Sequence, residues 1–110
     1  MKTVFHAMHE VSAQAAIGGA FSLLRDPMIE IKDIVVVGNG SAVKAFIKRS
    51  KYEQRVVQAV SKGIKLRACK NSLNGLSISE KDLLNGVEIV FSGVGELTRL
   101  QSQGYAYIRI

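Results

Sequence analysis

Residues 10–25, EVSAQAAIGGAFSLLR, place Ala13, Ala16, Ile17, Ala20, Phe21 and Leu24 at three- and four-residue spacing. That period puts them on one face and predicts a helix from about Glu10 to Arg25. Gly18 and Gly19 interrupt the stripe. Glycine costs helix stability, so the pattern predicts a closely packed neighbour there. Pro27 biases Asp26 away from helical angles and ends the helix. Ahead of it, KTVFHA (2–7) predicts a first strand. Behind it, IEIKDIVVVGNG (29–40) predicts a second, whose unbroken apolar run Ile34–Val37 suits a strand covered on both faces. Gly38-Asn39-Gly40 predicts a turn, with Ser41 as N-cap of a helix through Lys48 that turns Val43, Phe46 and Ile47 inward.

A further helix is expected over about Tyr52–Lys62, with Val56, Val57 and Val60 inward and Gly63 ending it. IKLRAC (64–69) alternates Ile64, Leu66 and Ala68 with Lys65 and Arg67, a third strand with one wetter face. Ser79 and Asp82 resemble a capping box. VEIVFS (87–92) predicts a fourth strand, GVGELTRLQSQG (93–104) a helix, and YAYIRI (105–110) a fifth strand. Strands separated by helices imply right-handed crossovers and a parallel sheet covered on both faces, an α/β fold. No internal repeat or linker divides the chain, so one domain over 1–110 is expected.

A chain of 110 residues, 47% of them hydrophobic, is long enough to bury one core and too apolar for disorder. Its longest apolar runs are far shorter than a membrane span. MKTVFHAMHE lacks the apolar centre and cleavage site of a secretory signal, and one cysteine forms no internal disulfide. Both point to the cytoplasm. Lys and Arg number 15 against 9 Asp and Glu, a net charge of +6. Lys44, Lys48, Arg49, Lys51, Arg55, Lys62, Lys65, Arg67 and Lys70 crowd into 44–70, with Glu53 the one acid among them. Solvated helix faces account for such a run. So does a surface for an acidic protein or a phosphate or sulfur oxyanion. Nucleic acid is disfavoured, because no recognised binding motif accompanies the charge and aromatics are only 6%.

Ligands of open parallel sheets bind beyond the carboxyl ends of the strands. Those ends carry His6 to His9, Gly38-Asn39-Gly40, Cys69 to Ser72, and Ser92-Gly93-Val94-Gly95. Cys69 is the candidate catalytic residue. A helix opening at NSLNG would favour its thiolate, and Arg67 and Lys70 would lower its pKa further. A buried, inert thiol is the competing reading. Asn71, Ser72, Ser92 and Gly93 would shape the pocket. One of His6 and His9 would serve as proton partner, both being read as polar groups at a strand end and in the loop after it. His9 is the candidate kept for the site. No metal is expected, for zinc needs more ligands than these histidines and one cysteine supply. VVVGNGSAVK and SGVGEL have neither the GxGxxG nor the Walker spacing, and read first as tight turns. Glu88 and Glu96 lie on different elements and form no expected carboxylate pair.

Taken in order, VFH, VVVGNGSAVK, KGIKLRACKNSLNGLSIS and LNGVEIVFSGVGELTRLQSQGYAYIRI resemble the small single-domain branch of the DsrE/DsrF-like family over essentially the whole chain. The resemblance implies a three-layer α/β/α sandwich on a mainly parallel five-stranded sheet, assembled as trimers or hexamers. In relay members of the DsrE and TusD types, a cysteine takes up sulfur as a persulfide and passes it to a partner. Cys69 follows the third strand, as such a cysteine should. Two readings stay open. One is a sulfur-relay protein, with sulfur donor and acceptor proteins as partners and no cofactor. The other is a non-catalytic oligomeric subunit that binds a small anion or an acidic partner, with Cys69 structural. An exposed YAYIRI edge would invite pairing with another chain.

Overall fold

Aromatic and β-branched side chains favour extended chain in KTVFHA and DIVVVG, which pair in parallel as β1 (Lys2–Ala7) and β2 (Asp33–Gly38). Three more parallel strands join them: β3 (Lys65–Cys69), β4 (Val87–Val90) and β5 (Ala106–Arg109). Their spatial order is β4-β3-β2-β1-β5. The computed structural model describes Met1–Ile110. Its helices are α1 (Glu10–Arg25), α2 (Glu53–Ser61), α3 (Lys70–Gly75) and α4 (Gly93–Ser102), with 3₁₀ segments at Gly40–Phe46 and Glu80–Asp82. The result is the expected α/β/α sandwich, and its sheet is parallel throughout. No helix is long and apolar enough to cross a membrane.

The chain steps from β1 to β4 in one direction, then returns across the sheet to lay β5 beside β1. Right-handed crossovers in opposite directions put their helices on opposite faces. So α1 and α2 share one face, and α4 lies on the other. Alternation along the strands sorts the side chains accordingly. Phe5, Ile34, Val36, Leu66 and Ala68 belong to the larger core with Ala13, Ile17, Ala20 and Phe46. On the opposite face Val4, Val35 and Val37 meet Leu97 and Leu100 of α4, with Tyr105 packed against them. This second face is thinly covered. At its margins it carries His6, Arg67, Cys69 and Glu88.

Of the glycine pair in α1, Gly19 is closely packed as expected, whereas a β-carbon on Gly18 would meet only Arg55, at 3.5 Å. A β-carbon on Gly19 would stand 2.9 Å from the Phe5 ring of β1, so glycine lets the helix settle on the strand. Other local expectations change. The segment after Gly40 is a 3₁₀ helix, and Asn39 rather than Ser41 occupies its N-cap position. Ala42, Val43, Ala45 and Phe46 are all buried and repeat at intervals of three, which suits three residues per turn. Ser79 caps the Glu80–Asp82 turn by accepting from Lys81 N–H, without the reciprocal half of a capping box. β2 begins at Asp33 instead of 29, because residues ahead of it bond the chain start: Met1 N donates to Glu30 O and Lys32 N–H to Met1 O.

At the amino end of the sheet, Tyr105 donates its hydroxyl to Asp33, whose carboxylate also meets Lys65 Nζ at 3.1 Å. Burial works to raise the Asp33 pKa, but the bonds from Tyr105 and Lys65 outweigh it and hold it below the usual value. Burial and the Asp33 carboxylate push Tyr105 up to about 12. A depressed carboxyl stabilises the fold above its unfolded pKa of about 4, and that stability is lost as pH falls through the folded value. Tyr105→Phe should therefore cost about 1–2 kcal/mol at neutral pH. The deficit should shrink on acidification below about pH 4. Urea unfolding of both proteins across that range checks it.

Candidate functional site

Cys69 is the last residue of β3 and the N-cap of α3. It is 5% exposed. Lys70-Asn71-Ser72 turns at once into helix, so the first free N–H groups of α3 lie around the sulfur. The Ser72 hydroxyl and the backbone N–H groups of Ser72, Gly93 and Asn71 stand around the Cys69 sulfur. Burial raises the pKa of this thiol, yet the polar hydrogens of these groups outweigh it and hold it below its usual value. The donors come from the first turns of two helices, α3 and α4. Both follow the carboxyl ends of neighbouring strands, β3 and β4.

Ser72 does double service. Its Oγ accepts from Gly40 N–H at 2.7 Å, which leaves its proton for the sulfur. Gly40 has φ +57, and a β-carbon there would stand 2.9 Å from Met8 O. Only glycine suits that position. Ser92 is the N-cap of α4 and accepts from Gly95 N–H at 3.0 Å, which points the helix start at the site. Gly93 is buried against Asn39. Gly38 lies a residue earlier, with the Phe46 ring where its side chain would be.

The structure thus brings together Cys69, Asn71, Ser72, Gly93, Asn39 and Gly40, with Ser92 and Gly38 supporting them. It does not bring in the others as expected. Arg67 shares a sheet face with Cys69, but its guanidinium donates to the Glu96 carboxylate and sits 3.4 Å from Glu88. Burial tends to lower the Arg67 pKa, and the Glu96 bond and charge, then Glu88, raise it overall. Lys70 is exposed on the outer side of α3. Backbone N–H groups and a hydroxyl, not these cations, carry the thiolate's stabilisation. His9 is exposed at the N-cap of α1, where its N–H donates to Ser12 Oγ.

The histidine that reaches the site is His6, inside β1 as the strand reading places it and 8% exposed. Its Nε2 lies 3.0 Å from Asn39 Oδ1 and its Nδ1 2.6 Å from the Tyr107 hydroxyl. The Oδ1 acceptor places the proton on Nε2, so Nδ1 accepts from Tyr107. With both nitrogens engaged, His6 is no free proton partner for Cys69. Sequence reasoning also passed over Glu96. It is 1% exposed, bound by both Arg67 and Arg99, and joined to Glu88 through Arg67. Strand alternation held a signal for His6, since it falls in phase with Val4. Nothing local marked Glu96. Beside this cluster an open cleft of about 300 Å³ is lined by Val90, Phe91, Ser92, Gly95, Glu96 and Arg99.

Ser72→Ala should raise the pH midpoint of Cys69 alkylation and slow the reaction several-fold at neutral pH. The variant removes one donor and frees the Gly40 N–H. Iodoacetamide labelling rates across pH, followed by mass, check this.

Fold and site together define a class: small open-sheet α/β proteins that hold a buried cysteine at the carboxyl rim, between a strand end and a helix start. The chain belongs to the DsrE/DsrF-like family, whose model matches residues 2–110. Its structure is similar to that of MTH1491, a protein of unknown function from Methanobacterium thermoautotrophicum. The two are 31% identical with a TM-score of 0.89 over 99% of this chain and 98% of that one. The ychN protein from E. coli is 18% identical, with a TM-score of 0.74 over 100% of both chains. BT1422 from Bacteroides thetaiotaomicron, a conserved protein of unknown function, is 17% identical with a TM-score of 0.66, over 97% of this chain and 94% of that one. At those last two identities the likeness is one of fold. No curated protein matches the chain.

Proposed function

We propose that the protein is a sulfur carrier that holds sulfane sulfur as a persulfide on Cys69. One observation carries the reading: Cys69 ends β3 and caps α3 at the carboxyl rim, beside Ser72 and the start of α4, surroundings that lower its pKa despite burial. The thiolate is the form that attacks sulfur. In the uptake step, Cys69 attacks the outer sulfur of a donor persulfide. The new S–S bond forms as the donor's S–S bond breaks, and the donor leaves as a thiolate. In the delivery step, an acceptor thiolate attacks the outer sulfur and Cys69 leaves as a thiolate. Neither step needs a cofactor, and neither changes the overall oxidation state. The same donors that favour the thiolate suit the persulfide anion.

The proposal extends to partners and place. Donor and acceptor proteins must reach a site rimmed by Phe91, which is 81% exposed. Self-assembly into trimers or hexamers is supported by the exposed edge strand β5, with Tyr107, Ile108 and Ile110 at the surface. A cytoplasmic location suits chemistry that depends on a reduced thiol.

The burial of Cys69 favours a second reading, a non-catalytic subunit in which the thiol is structural. Lys44, Lys48, Arg49 and Lys51 are exposed and would meet the anion or acidic partner. Intact mass spectrometry separates the two. The protein is incubated with inorganic polysulfide, or with a cysteine desulfurase and cysteine. A reducible gain of one sulfur atom supports the carrier. No gain, with Cys69 also slow to alkylate in the folded state, supports the binding subunit.

A further inference from the structure

Two of the groups around the Cys69 sulfur, the Ser72 hydroxyl and the Gly93 N–H, belong to residues held by consecutive positions of the turn after β2. Gly40 N–H fixes the Ser72 oxygen at 2.7 Å. Asn39 packs on Gly93, its Cβ 3.1 Å from where a β-carbon on Gly93 would stand. A shift of this turn would therefore loosen both donors at once.

The turn is braced from the far edge of the sheet. Asn39 Oδ1 is held by His6 Nε2 at 3.0 Å, and His6 Nδ1 by the Tyr107 hydroxyl at 2.6 Å. His6 is buried and Tyr107 stands on the edge strand β5. In the sheet order, β1 and β2 separate β5 from β3, which carries Cys69. The brace crosses them through side chains alone.

We infer that His6 and Tyr107 are positioning residues for the Cys69 sulfur, acting through Asn39 and Gly40. The inference rests on Cys69 being the working residue, as in the carrier reading. It ties the exposed edge strand to the thiol, so the state of β5 bears on the reactivity of Cys69.

The test compares three variants by the pH profile of Cys69 alkylation and by sulfur gain. His6→Phe keeps a ring and removes both polar atoms. His6→Gln keeps an N–H donor toward Asn39. Tyr107→Phe removes one hydroxyl from a side chain on a residue 40% exposed, and so preserves the fold. The charged groups on this face and on α4 above it are left intact: Arg67, Glu88, Glu96 and Arg99 pair with one another, Asp33 with Lys65, and Arg109 donates to Met8 Sδ. His6→Phe should move the alkylation midpoint upward and slow labelling several-fold at neutral pH. His6→Gln should recover most of the loss, and Tyr107→Phe should shift the profile less, in the same direction. A merely structural role would change thermal stability and leave the profile of the folded protein alone. Folded His6→Phe and Tyr107→Phe proteins with the wild-type profile would overturn the inference. Should His6→Phe not fold, Tyr107→Phe decides alone. If the wild type takes up no sulfur while the profiles still shift, the carrier reading falls and the positioning role stands. If it takes up sulfur and no profile shifts, the positioning role falls and the carrier stands.

Discussion

Replacing Cys69 by serine is expected to abolish sulfur uptake while the protein stays folded. The reaction needs an anionic, polarisable nucleophile at neutral pH, and the serine hydroxyl is neither ionised nor able to form a persulfide. The surroundings tolerate the exchange. The Ser72 hydroxyl and the N–H groups of Asn71, Ser72 and Gly93 stand around the sulfur, and an oxygen can accept from the same groups. Stability should change by about 1 kcal/mol or less, the scale of a near-isosteric change whose polar partners stay satisfied. The measurement is the intact mass of both proteins after the same polysulfide treatment, before and after a reducing agent. A gain that persists in the serine variant would put the sulfur elsewhere and sink the carrier mechanism.

The second large effect lies in the Arg67–Glu96 pair. Arg67→Ala leaves a carboxylate that is 1% exposed with Arg99 alone, and that arginine is 56% exposed. Removing one partner of a buried ion pair costs about 3–5 kcal/mol, because the remaining charge stays desolvated. The double variant Arg67→Met with Glu96→Leu should recover most of that loss, since it removes both charges and keeps the volume. Urea unfolding should show a much lower midpoint for the single variant at an unchanged slope, and a near-wild-type midpoint for the double. A single variant as stable as the wild type would mean that water reaches Glu96.

The elements with a clear period were legible. The three- and four-residue spacing in α1 set its ends, and the unbroken run Ile34–Val37 marked a strand buried on both faces. The alternation in IKLRAC was read correctly as one wetter face, the one turned toward α4. Short segments with competing signals were not. Ser41 looked like a cap by type, yet the positions of Ala42, Val43, Ala45 and Phe46 imposed a three-residue turn. In the candidate site, the placement of Cys69 at the end of a strand and the start of a helix followed from the local pattern. Its chemistry did not. Arg67 stands two residues before Cys69, and proximity along the chain suggested a cation for the thiolate. Glu96, more than two dozen residues later, occupies that cation instead.

The chain pattern alone settles the alternation of strand and helix, the parallel α/β class, and the position of the single thiol at the carboxyl rim. These follow from periods of two and three to four residues and from turn chemistry, which act between near neighbours. Only the folded arrangement decides what surrounds that thiol. The return of the chain from β4 to β5 lays α4 over the thin face. It brings Gly93 to the sulfur and Glu96 to Arg67, and it sets Tyr107 beside His6. Contacts between residues so far apart depend on the strand order and on the handedness of the crossovers, which no local spacing encodes.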